Sequence, residues 1–505
     1  MLGTSFPEWI FIHLCIVFFR YTPLLYAAAL TILYLSFGGY AKYLVITRAL
    51  FALLVAEGLF YAFLWRPFQA RLGRKAVHPT PLSTEERRAL VDQCLRSLPS
   101  PETYLRGWFF GAEPEDIRRG NVREFILWAF FEQDEASLAA DDDADADAVN
   151  AELDEYVAEV ERVLGRELGD GRGPAKCLRL TIDGIDTAYR SLAWYAVIFL
   201  VDQATHLALA YHGFQYYTPS GSGSRRTFPP RPQQLITRRR SPAPELGYWY
   251  RPHGPEERGK APVVFFHGIG VGLWTYVRFL ADIAAARRRG GDGIGVIAIE
   301  ILPISFRLTA TPLDKPVFLR AVATIVDHHG WDRFAVASHS YGSVLVTHML
   351  RSPAMEPRIT SVILIDPVSL MLHLPDVAYN FTRRGPRRAN EWQLWYFASS
   401  DPGVAHCLGR HFFWRQNIIW KEELLASGGA GRAARRSAVC LSGRDLIVNT
   451  SAVAQYIAGP QQHDGSPGDD DVEVVIFPEL DHAQVFDDPE SCDRVVSLVT
   501  NYCSI

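Results

Sequence analysis

The sequence has few cysteines and no excess of charge of either sign. Its seven cysteines in 505 residues form no C-x-x-C pair and no Cys/His cluster, so we expect neither a disulfide scaffold nor a structural zinc site. Lys and Arg number 51 and Asp and Glu 56, a balance that indicates no general affinity for nucleic acid. Hydrophobic residues make up 48%, which excludes global disorder. The length indicates about two or three structural units.

Long apolar runs occur at the start of the chain. Residues 9–37 and 43–65 are almost wholly apolar, and the main interruptions are Arg20, Pro23, Arg48 and Glu57. As a helix, the second run measures about 34 Å, enough to cross a ~30 Å hydrocarbon layer. We predict that residues 1–75 are an N-terminal membrane anchor with one or two transmembrane helices. Arg20 favours a first span over residues 21–40, with residues 9–19 lying shallow. The alternative is a pair of buried core helices.

A basic segment follows the second apolar run. It contains Arg66, Arg71, Arg74 and Lys75. Because basic residues accumulate on the cytoplasmic side of membrane spans, the rest of the chain is predicted to be cytosolic. The expected partner is therefore the lipid bilayer. The sequence does not indicate an organelle or an oligomeric state.

Residues 76–212 have the spacing of a helical region. An acidic low-complexity loop is predicted at 134–149, and we interpret its aspartates as a solvated linker instead of a metal site. Residues 188–211 are apolar but contain Asp202, Gln203 and His206. This pattern favours a helix packed on the following domain or lying in the membrane interface over a third span.

Residues 213–505 alternate between short apolar strands and helices. Strands are predicted at 247–250, 263–266, 295–299, 334–337, 362–365, 439–442 and 472–477, and helices at 274–286, 317–328, 341–350, 451–457 and 489–502. Such alternation is typical of an α/β domain with a mostly parallel sheet covered by helices on both faces. Residues 367–431 contain no clear strand and are predicted to be a lid-like insertion.

A nucleophile motif joins one predicted strand to the next helix. Ser338-His339-Ser340-Tyr341-Gly342 matches the small-x-Ser-x-small elbow, in which a strained turn lifts the hydroxyl of Ser340 clear of the sheet. Small residues are needed at both ends because the strand and the helix approach closely. Ser338 replaces the usual glycine, which predicts some additional crowding. We expect His339 to pack or to form a hydrogen bond beneath the elbow.

A glycine-containing loop follows the strand at 263–266. Its sequence is His267-Gly268-Ile269-Gly270, at the place where an oxyanion loop would lie. The backbone N–H groups of Ile269 and Tyr341 are the predicted donors to a developing oxyanion. The alternative interpretation is a plain glycine-rich turn.

A general base and an orienting acid should follow the nucleophile in the order Ser, Asp or Glu, His. Asp445 and His482 each come just after a predicted strand, so both are expected at the same edge of the sheet as Ser340. Asp366 ends the strand at 362–365 and is the alternative acid. Asp481 is poorly placed to orient the neighbouring imidazole. No metal site is expected, since His406 and His411 lack a third ligand at metal-binding spacing.

The C-terminal part of the chain, from about residue 213, resembles the α/β-hydrolase superfamily through the four motifs described above. The wider chain is similar to a group of membrane-anchored fungal α/β hydrolases. The segments that carry this second resemblance are 266–270, 339–343, 374–381 and 481–486. The superfamily resemblance implies a sheet of the eight-stranded type, a lid after the sixth strand and no cofactor.

The combined features predict a membrane-anchored serine hydrolase that cleaves carboxylic esters through Ser340, His482 and Asp445. Aromatic residues in the insertion, together with the anchor, favour an apolar or lipid-like acyl substrate. These residues are Trp392, Trp395, Tyr396, Phe397, Phe412, Phe413 and Trp414. Two alternatives stay open: an acyltransferase that uses the same triad, and a non-catalytic membrane-bound scaffold that has the hydrolase fold.

Overall fold

The computed structural model of the protein describes residues 2–139, 143–221, 226–254, 257, 259–285, 293–425, 435–459 and 472–504. Two parts of the sequence predictions lie outside these residues. They are Asp141 and Asp142 in the acidic segment, and the end of the insertion beyond residue 425.

Eight strands form one sheet in the C-terminal part of the chain. They are β1 (Gln215–Tyr217), β2 (Tyr248–Arg251), β3 (Val263–Phe266), β4 (Val296–Ile299), β5 (Phe334–His339), β6 (Ile359–Ile365), β7 (Arg436–Ser442) and β8 (Glu473–Phe477). Their order is β1-β2-β4-β3-β5-β6-β7-β8. Strand β2 is antiparallel to both neighbours, and the remaining pairs are parallel. Each predicted strand overlaps an observed one, whereas β1 was not predicted.

Helices cover both faces of this sheet. They include α11 (Val277–Ile283), α12 (Lys315–His328), α13 (Gly342–Leu350), α19 (Thr450–Ala458) and α20 (Pro489–Tyr502), while the short α10 (Gln233–Ile236) lies between β1 and β2 in the sequence. All four residues of β3 are buried. Val264 and Phe266 face the core formed with α12 and α13, while Val263 and Phe265 face the core formed with α11 and α20. Burial on both faces explains the continuous apolar strands. The architecture is an α/β-hydrolase-like fold.

The insertion between β6 and β7 is helical. Its described helices are α14 (Pro375–Thr382), α15 (Ala389–Gln393), α16 (Pro402–His411), α17 (Trp414–Asn417) and α18 (Lys421–Leu425), with a π-helical turn at Leu394–Ser399 between α15 and α16.

In the part of the chain that the structure describes, nine further α-helices precede the sheet. They are α1 (Phe6–Phe37), α2 (Val45–Phe60), α3 (Arg66–Leu72), α4 (Thr84–Arg96), α5 (Pro101–Trp108), α6 (Arg119–Ile126), α7 (Glu135–Leu138), α8 (Asp143–Leu164) and α9 (Leu192–Tyr211). The core formed by α5, α6 and α8 is continuous with the core on one face of the sheet. The helical region of residues 76–212 (the middle region) therefore packs directly on the hydrolase-like domain.

The acidic segment differs from its prediction as a loop at 134–149. Helices α7 and α8 occupy most of it, and only residues 140–142 between them lie outside the described structure. Alanines with high helix propensity alternate with aspartates in this segment. Aspartates are also favourable near a helix N-terminus, where they interact with the positive end of the helix dipole. The sequence reading gave too much weight to low complexity.

Helices α1 and α2 form a hairpin whose outer part is apolar and exposed. Leu24, Leu35, Val45 and Phe51, for example, are 61–82% exposed. The first part of α1 instead packs on the insertion, where Ile12 and Ile16 are buried against α15 and the π-helical turn that follows it. Helix α1 is thus a single continuous helix, whereas the sequence reading divided it near Arg20.

Helix α9 also has the length and apolar character of a membrane span, as do α1 and the segment that begins with α2. Its mid-helix Asp202, however, is buried and forms ion pairs with Arg231 at 3.1 Å and Arg307 at 2.9 Å. Arg231 also pairs with Glu300 at 2.7 Å. These charges attach α9 to the hydrolase-like domain.

We expect Asp202→Leu to destabilise the protein by about 3–5 kcal/mol, because the buried Arg307 loses its carboxylate partner and the buried Arg231 keeps only Glu300. Thermal unfolding in detergent measures this effect. Asp92→Asn is the control, since the Arg96–Asp92 pair is largely exposed and should contribute little. Equal melting temperatures for the two variants would show that the Asp202 network does not stabilise the fold.

Candidate active site

The turn between β5 and α13 holds Ser340 in a left-handed conformation, with φ of 50°. Its N–H donates to the carbonyl of Ile365 at 2.9 Å. A Cβ atom on Gly342 would lie 2.3 Å from the carbonyl oxygen of Phe266, so no larger residue fits without movement. Ser338 is fully buried and, among the described residues, its hydroxyl has no hydrogen-bond partner. The predicted crowding at Ser338 is therefore accompanied by an unsatisfied hydroxyl.

Ser340, His482 and Asp445 form a continuous hydrogen-bonded chain. The Oγ atom of Ser340 lies 2.9 Å from Nε2 of His482, and Nδ1 of His482 lies 2.7 Å from Oδ2 of Asp445. Because a carboxylate can only accept, Nδ1 carries the proton and Nε2 can accept from the serine hydroxyl. The structure thus brings together the three residues that the sequence placed after β5, β7 and β8.

Asp445 is itself fixed by the loop that follows β7. Its Oδ1 atom accepts hydrogen bonds from the N–H groups of Ile447 at 2.7 Å and Val448 at 2.9 Å. Its Oδ2 atom stays directed at the imidazole. This arrangement fixes the carboxylate that orients His482.

The alternative acid, Asp366, makes different contacts. It accepts from the N–H and hydroxyl of Ser442, at 2.8 and 3.0 Å, and from the N–H of Ala483 at 2.9 Å. These bonds join the ends of β6 and β7 to the turn that carries His482. Asp481 accepts from the N–H groups of Leu446 and His482 instead of contacting the ring.

Three carboxylates surround the buried imidazole of His482. Burial lowers its pKa, but the charge and hydrogen bond of Asp445 and the charges of Asp366 and Asp481 outweigh burial, so the net pKa is raised. Burial and the charge of Asp445 raise the pKa of Asp366. The site therefore favours the imidazolium that would form when His482 accepts a proton.

The loop after β3 is held in place by His267. The N–H of Ile301 donates to Nε2 of His267 at 2.9 Å, so Nδ1 carries the proton and donates to the carbonyl of Gly268 at 2.8 Å. Burial lowers the pKa of His267 to about 4, which keeps the ring neutral. A Cβ atom on Gly268 would lie 2.8 Å from Cβ of Ser340. The loop and the elbow are therefore in close contact.

The predicted oxyanion donors lie beside the serine. Ile269, Ser340 and Tyr341 line one pocket. Within the described chain, the N–H groups of Ile269 and Tyr341 donate to no protein acceptor. Two backbone donors thus remain available at the wall of the pocket. Gly270 supports the loop through a hydrogen bond from its N–H to the carbonyl of Ile304 at 3.2 Å.

His339 connects the elbow to the same loop. The N–H of Gly268 donates to the hydroxyl of Tyr276 at 3.1 Å, and this hydroxyl lies 2.7 Å from Nδ1 of His339. The ring of His339 lies 5.1 Å from that of His482, measured between centroids. Its position is the one expected of a side chain beneath the elbow.

The pocket above Ser340 is mostly apolar and includes about 760 Å³ of space outside the atoms, part of it open to solvent. Two segments form most of its wall. The insertion contributes Val368, Leu372, Val377, Ala378, Phe381, Thr382, Leu408, Phe412, Phe413 and Trp414, and the middle region contributes Trp108, Trp128, Glu132, Leu180 and Thr181.

The aromatic residues of the insertion divide into two groups. Phe412, Phe413 and Trp414 line the pocket, as the sequence reading proposed. The others pack on α1 instead, in a cluster that contains Trp392, Trp395, Tyr396 and Phe397. The contribution of the middle region to the pocket was not predicted, because no local sequence signal indicates which distant helix covers a site.

Asp366, Asp445 and His482 also form the one group of possible metal ligands found in the described residues. Both ring nitrogens of His482 already contact Asp445 and Ser340. Asp366 accepts three hydrogen bonds from protein groups. The atoms of these three side chains that could bind a metal ion therefore already form hydrogen bonds within the protein.

No protein-family model and no curated protein sequence match the chain. Several solved structures are similar to parts of it. A bacterial membrane phospholipase A is 13% identical, with a TM-score of 0.37, and the alignment covers 62% of this chain and 94% of that one. The carboxylesterase CesB from Bacillus subtilis is 13% identical with a TM-score of 0.34, and the alignment covers 61% of this chain and 99% of that one. Naproxen esterase from the same organism is 14% identical with a TM-score of 0.34, and the alignment covers 59% of this chain and 96% of that one. At such low scores, the site geometry alone carries the functional argument.

We expect His267 to make the protein sensitive to acid. Its pKa is about 4 in the folded state and about 6.5 when unfolded, so the unfolded state binds more protons as pH falls between these values. The loss amounts to about 3 kcal/mol, and stability is retained above pH ~6.5. Unfolding measured at several pH values in detergent should show a shallower acid dependence for His267→Gln. The exposed His328 offers the control His328→Gln, and an unchanged acid dependence in His267→Gln would contradict the assignment.

Proposed function

We propose that the protein is a membrane-anchored serine hydrolase that cleaves carboxylic esters with an apolar acyl group. The observation that carries this proposal is the hydrogen-bonded chain from Asp445 through His482 to Ser340. It ends at a serine that lines an apolar pocket beside two unpaired backbone N–H groups. Nucleophile, base, orienting acid and oxyanion donors are thus available in one place.

The proposed reaction proceeds through an acyl-enzyme. Ser340 attacks the ester carbonyl while His482 accepts the hydroxyl proton, and the N–H groups of Ile269 and Tyr341 stabilise the oxyanion. The imidazolium then donates this proton to the departing alcohol. Water, deprotonated by His482, attacks the acyl-enzyme; the acid departs, and the imidazolium returns the proton to the Oγ atom of Ser340. Asp445 holds the ring orientation throughout.

The composition of the pocket supports an ester substrate with an apolar hydrocarbon chain, called its apolar arm. Aromatic and aliphatic side chains from the insertion and the middle region surround the space above Ser340. Burying apolar surface contributes ~25 cal/mol per Å², so a hydrocarbon chain gains affinity there. A lipid or lipid-like ester fits this requirement.

The hairpin of α1 and α2 is the proposed anchor. Helix α1 has 32 residues and measures about 48 Å at the helical rise of ~1.5 Å per residue, which exceeds the ~30 Å hydrocarbon core. The excess corresponds to the part of α1 that packs on the insertion. The exposed part, from about residue 20, continues to the turn at Gly38–Tyr43.

A hairpin anchor places both of its ends on one side of the membrane. The N–H of Leu2 donates to the side chain of Gln393 at 2.8 Å, so this end of α1 contacts the insertion. At the other end, Glu57 accepts from the N–H of Leu192 at 2.9 Å, at the start of α9. We infer that the hydrolase domain and residue 2 share one side, which the basic flank indicates is cytosolic.

Labelling with a fluorescent fluorophosphonate tests the proposed nucleophile. The wild-type protein in detergent should be labelled, and Ser340→Ala should abolish labelling. Asp445→Asn should reduce the rate by several orders of magnitude, since loss of the orienting carboxylate costs ~10⁴ in related triads. Asp366→Asn should retain much more labelling. Because Asp366 raises the pKa of His482, the loss of labelling rate at acidic pH should occur at a lower pH in this variant than in the wild type.

The labelling rate of each variant is expressed per folded molecule, and thermal unfolding of each variant shows how much of it is folded. A stable wild-type protein that takes no label in detergent or in liposomes would contradict the proposed activity. Greater loss in Asp366→Asn than in Asp445→Asn, at equal stability, would assign the orienting role to Asp366.

Cysteine accessibility tests the proposed topology. In a Cys15→Ser background, Thr4→Cys, Lys42→Cys and Glu490→Cys each introduce an exposed thiol. A membrane-impermeant maleimide applied to sealed vesicles should modify Thr4→Cys and Glu490→Cys from one side and Lys42→Cys from the other. Modification of all three from one side would contradict a hairpin that crosses the membrane.

A further inference from the structure

Glu132 is a charged residue in the wall of the mostly apolar pocket. It follows the π-helical turn Leu127–Phe131 and adopts a left-handed conformation, with φ of 58°. Left-handed backbone is uncommon for residues other than glycine, and π-helical turns occur frequently at functional sites. Glu132 therefore lines the same pocket as Ser340 in a backbone conformation that carries some conformational cost.

Only half of this carboxylate is occupied. Oε2 of Glu132 lies 2.5 Å from Nη2 of the buried Arg415. In the part of the chain that the structure describes, Oε1 accepts no hydrogen bond. The Nε atom of Arg415 is also buried without a partner among those residues. The ion pair thus offsets the charge of Glu132, a residue of the pocket wall, and leaves its Oε1 atom without a hydrogen-bond donor among the described residues.

Thr181 provides a second polar group in the same pocket. Its hydroxyl accepts from Nε1 of Trp128 at 3.0 Å and lies 3.0 Å from Nε2 of His78. A hydroxyl can take part in three hydrogen bonds, one as donor and two as acceptor. One position on Thr181 therefore remains available to a ligand.

We propose that Glu132 and Thr181 form a polar subsite that recognises an uncharged hydrogen-bond donor, such as a hydroxyl group, on the apolar arm of the ester. This inference rests on the proposed function and specifies its substrate class: esters with an oxygenated hydrocarbon arm. A purely hydrocarbon arm would leave Oε1 of Glu132 without a partner in an apolar pocket, which costs free energy. A hydroxyl group placed there satisfies it.

Matched esters test the subsite. The probes are para-nitrophenyl decanoate and its hydroxy and oxo derivatives, substituted in turn at each position of the outer half of the chain. At the best position, wild-type kcat/KM for the hydroxy ester should exceed that for the oxo ester by roughly tenfold, as expected for one hydrogen bond to a charged acceptor. A ratio near one at every position would overturn the proposal.

Glu132→Gln changes the hydrogen bond that the subsite offers. Since Arg415 needs an acceptor, the amide oxygen should face it and the amide NH₂ should face the pocket. The NH₂ group can donate to a ketone or a hydroxyl alike, so the hydroxy-to-oxo ratio should fall to about one. The control Glu356→Gln alters the pair with Arg435, outside the pocket lining, and should keep the wild-type ratio. An unchanged ratio in Glu132→Gln would contradict the assignment.

A binding measurement separates failure of the subsite from failure of the proposed function. Trp108, Trp128 and Trp414 line the pocket, so intrinsic fluorescence should report ligand binding. The probes are 1-decanol and decanediols that carry the second hydroxyl at successive positions. If no ester is cleaved but one diol binds roughly tenfold more tightly than decanol, and Glu132→Gln removes this gain, the subsite stands and hydrolysis fails. If esters are cleaved but no diol gains affinity, the subsite fails and hydrolysis stands.

Discussion

The contact of α13 with β3 beneath Ser340 is the constraint on which the site depends. Gly342 lies so close to the carbonyl of Phe266 that a Cβ atom would collide with it. This proximity, together with the left-handed conformation of Ser340, raises the hydroxyl to the sheet edge where β7 and β8 end. Parallel strands end at the same edge, so the loops after β7 and β8 bring Asp445 and His482 to the serine.

The candidate triad could be located from the sequence because each of its residues follows a mostly apolar strand. Strands β5 and β7 are almost wholly buried, whereas β8 is partly exposed. Such strands appear as continuous apolar runs, and the polar residue at the end of each run is conspicuous. The same reasoning missed β1, a three-residue strand, and treated the helical segment from Asp143 as a loop. Local composition is a weak guide where tertiary packing decides the structure.

The wall of the pocket could not be predicted for a different reason. Trp108, Trp128 and Glu132 come from helices about 200 residues before Ser340, and their core merges with that of the sheet. A helix has an apolar stripe whatever it covers, so its sequence does not identify its partner. The aromatic insertion shows the same ambiguity. Phe412 and Trp414 face the pocket, whereas Trp392 faces α1.

The packing of α1 on Ala389 and Tyr396 has a consequence for biosynthesis. The ribosome makes α1 more than 300 residues before these partners, which at ~5–20 residues per second is an interval of tens of seconds. In the proposed anchored protein, the α1–α2 hairpin enters the bilayer before the insertion residues that α1 contacts have been synthesised. The insertion must then fold against a helix already held by lipid. In that case, folding of the hydrolase-like domain would be completed at the membrane surface and not in free solution.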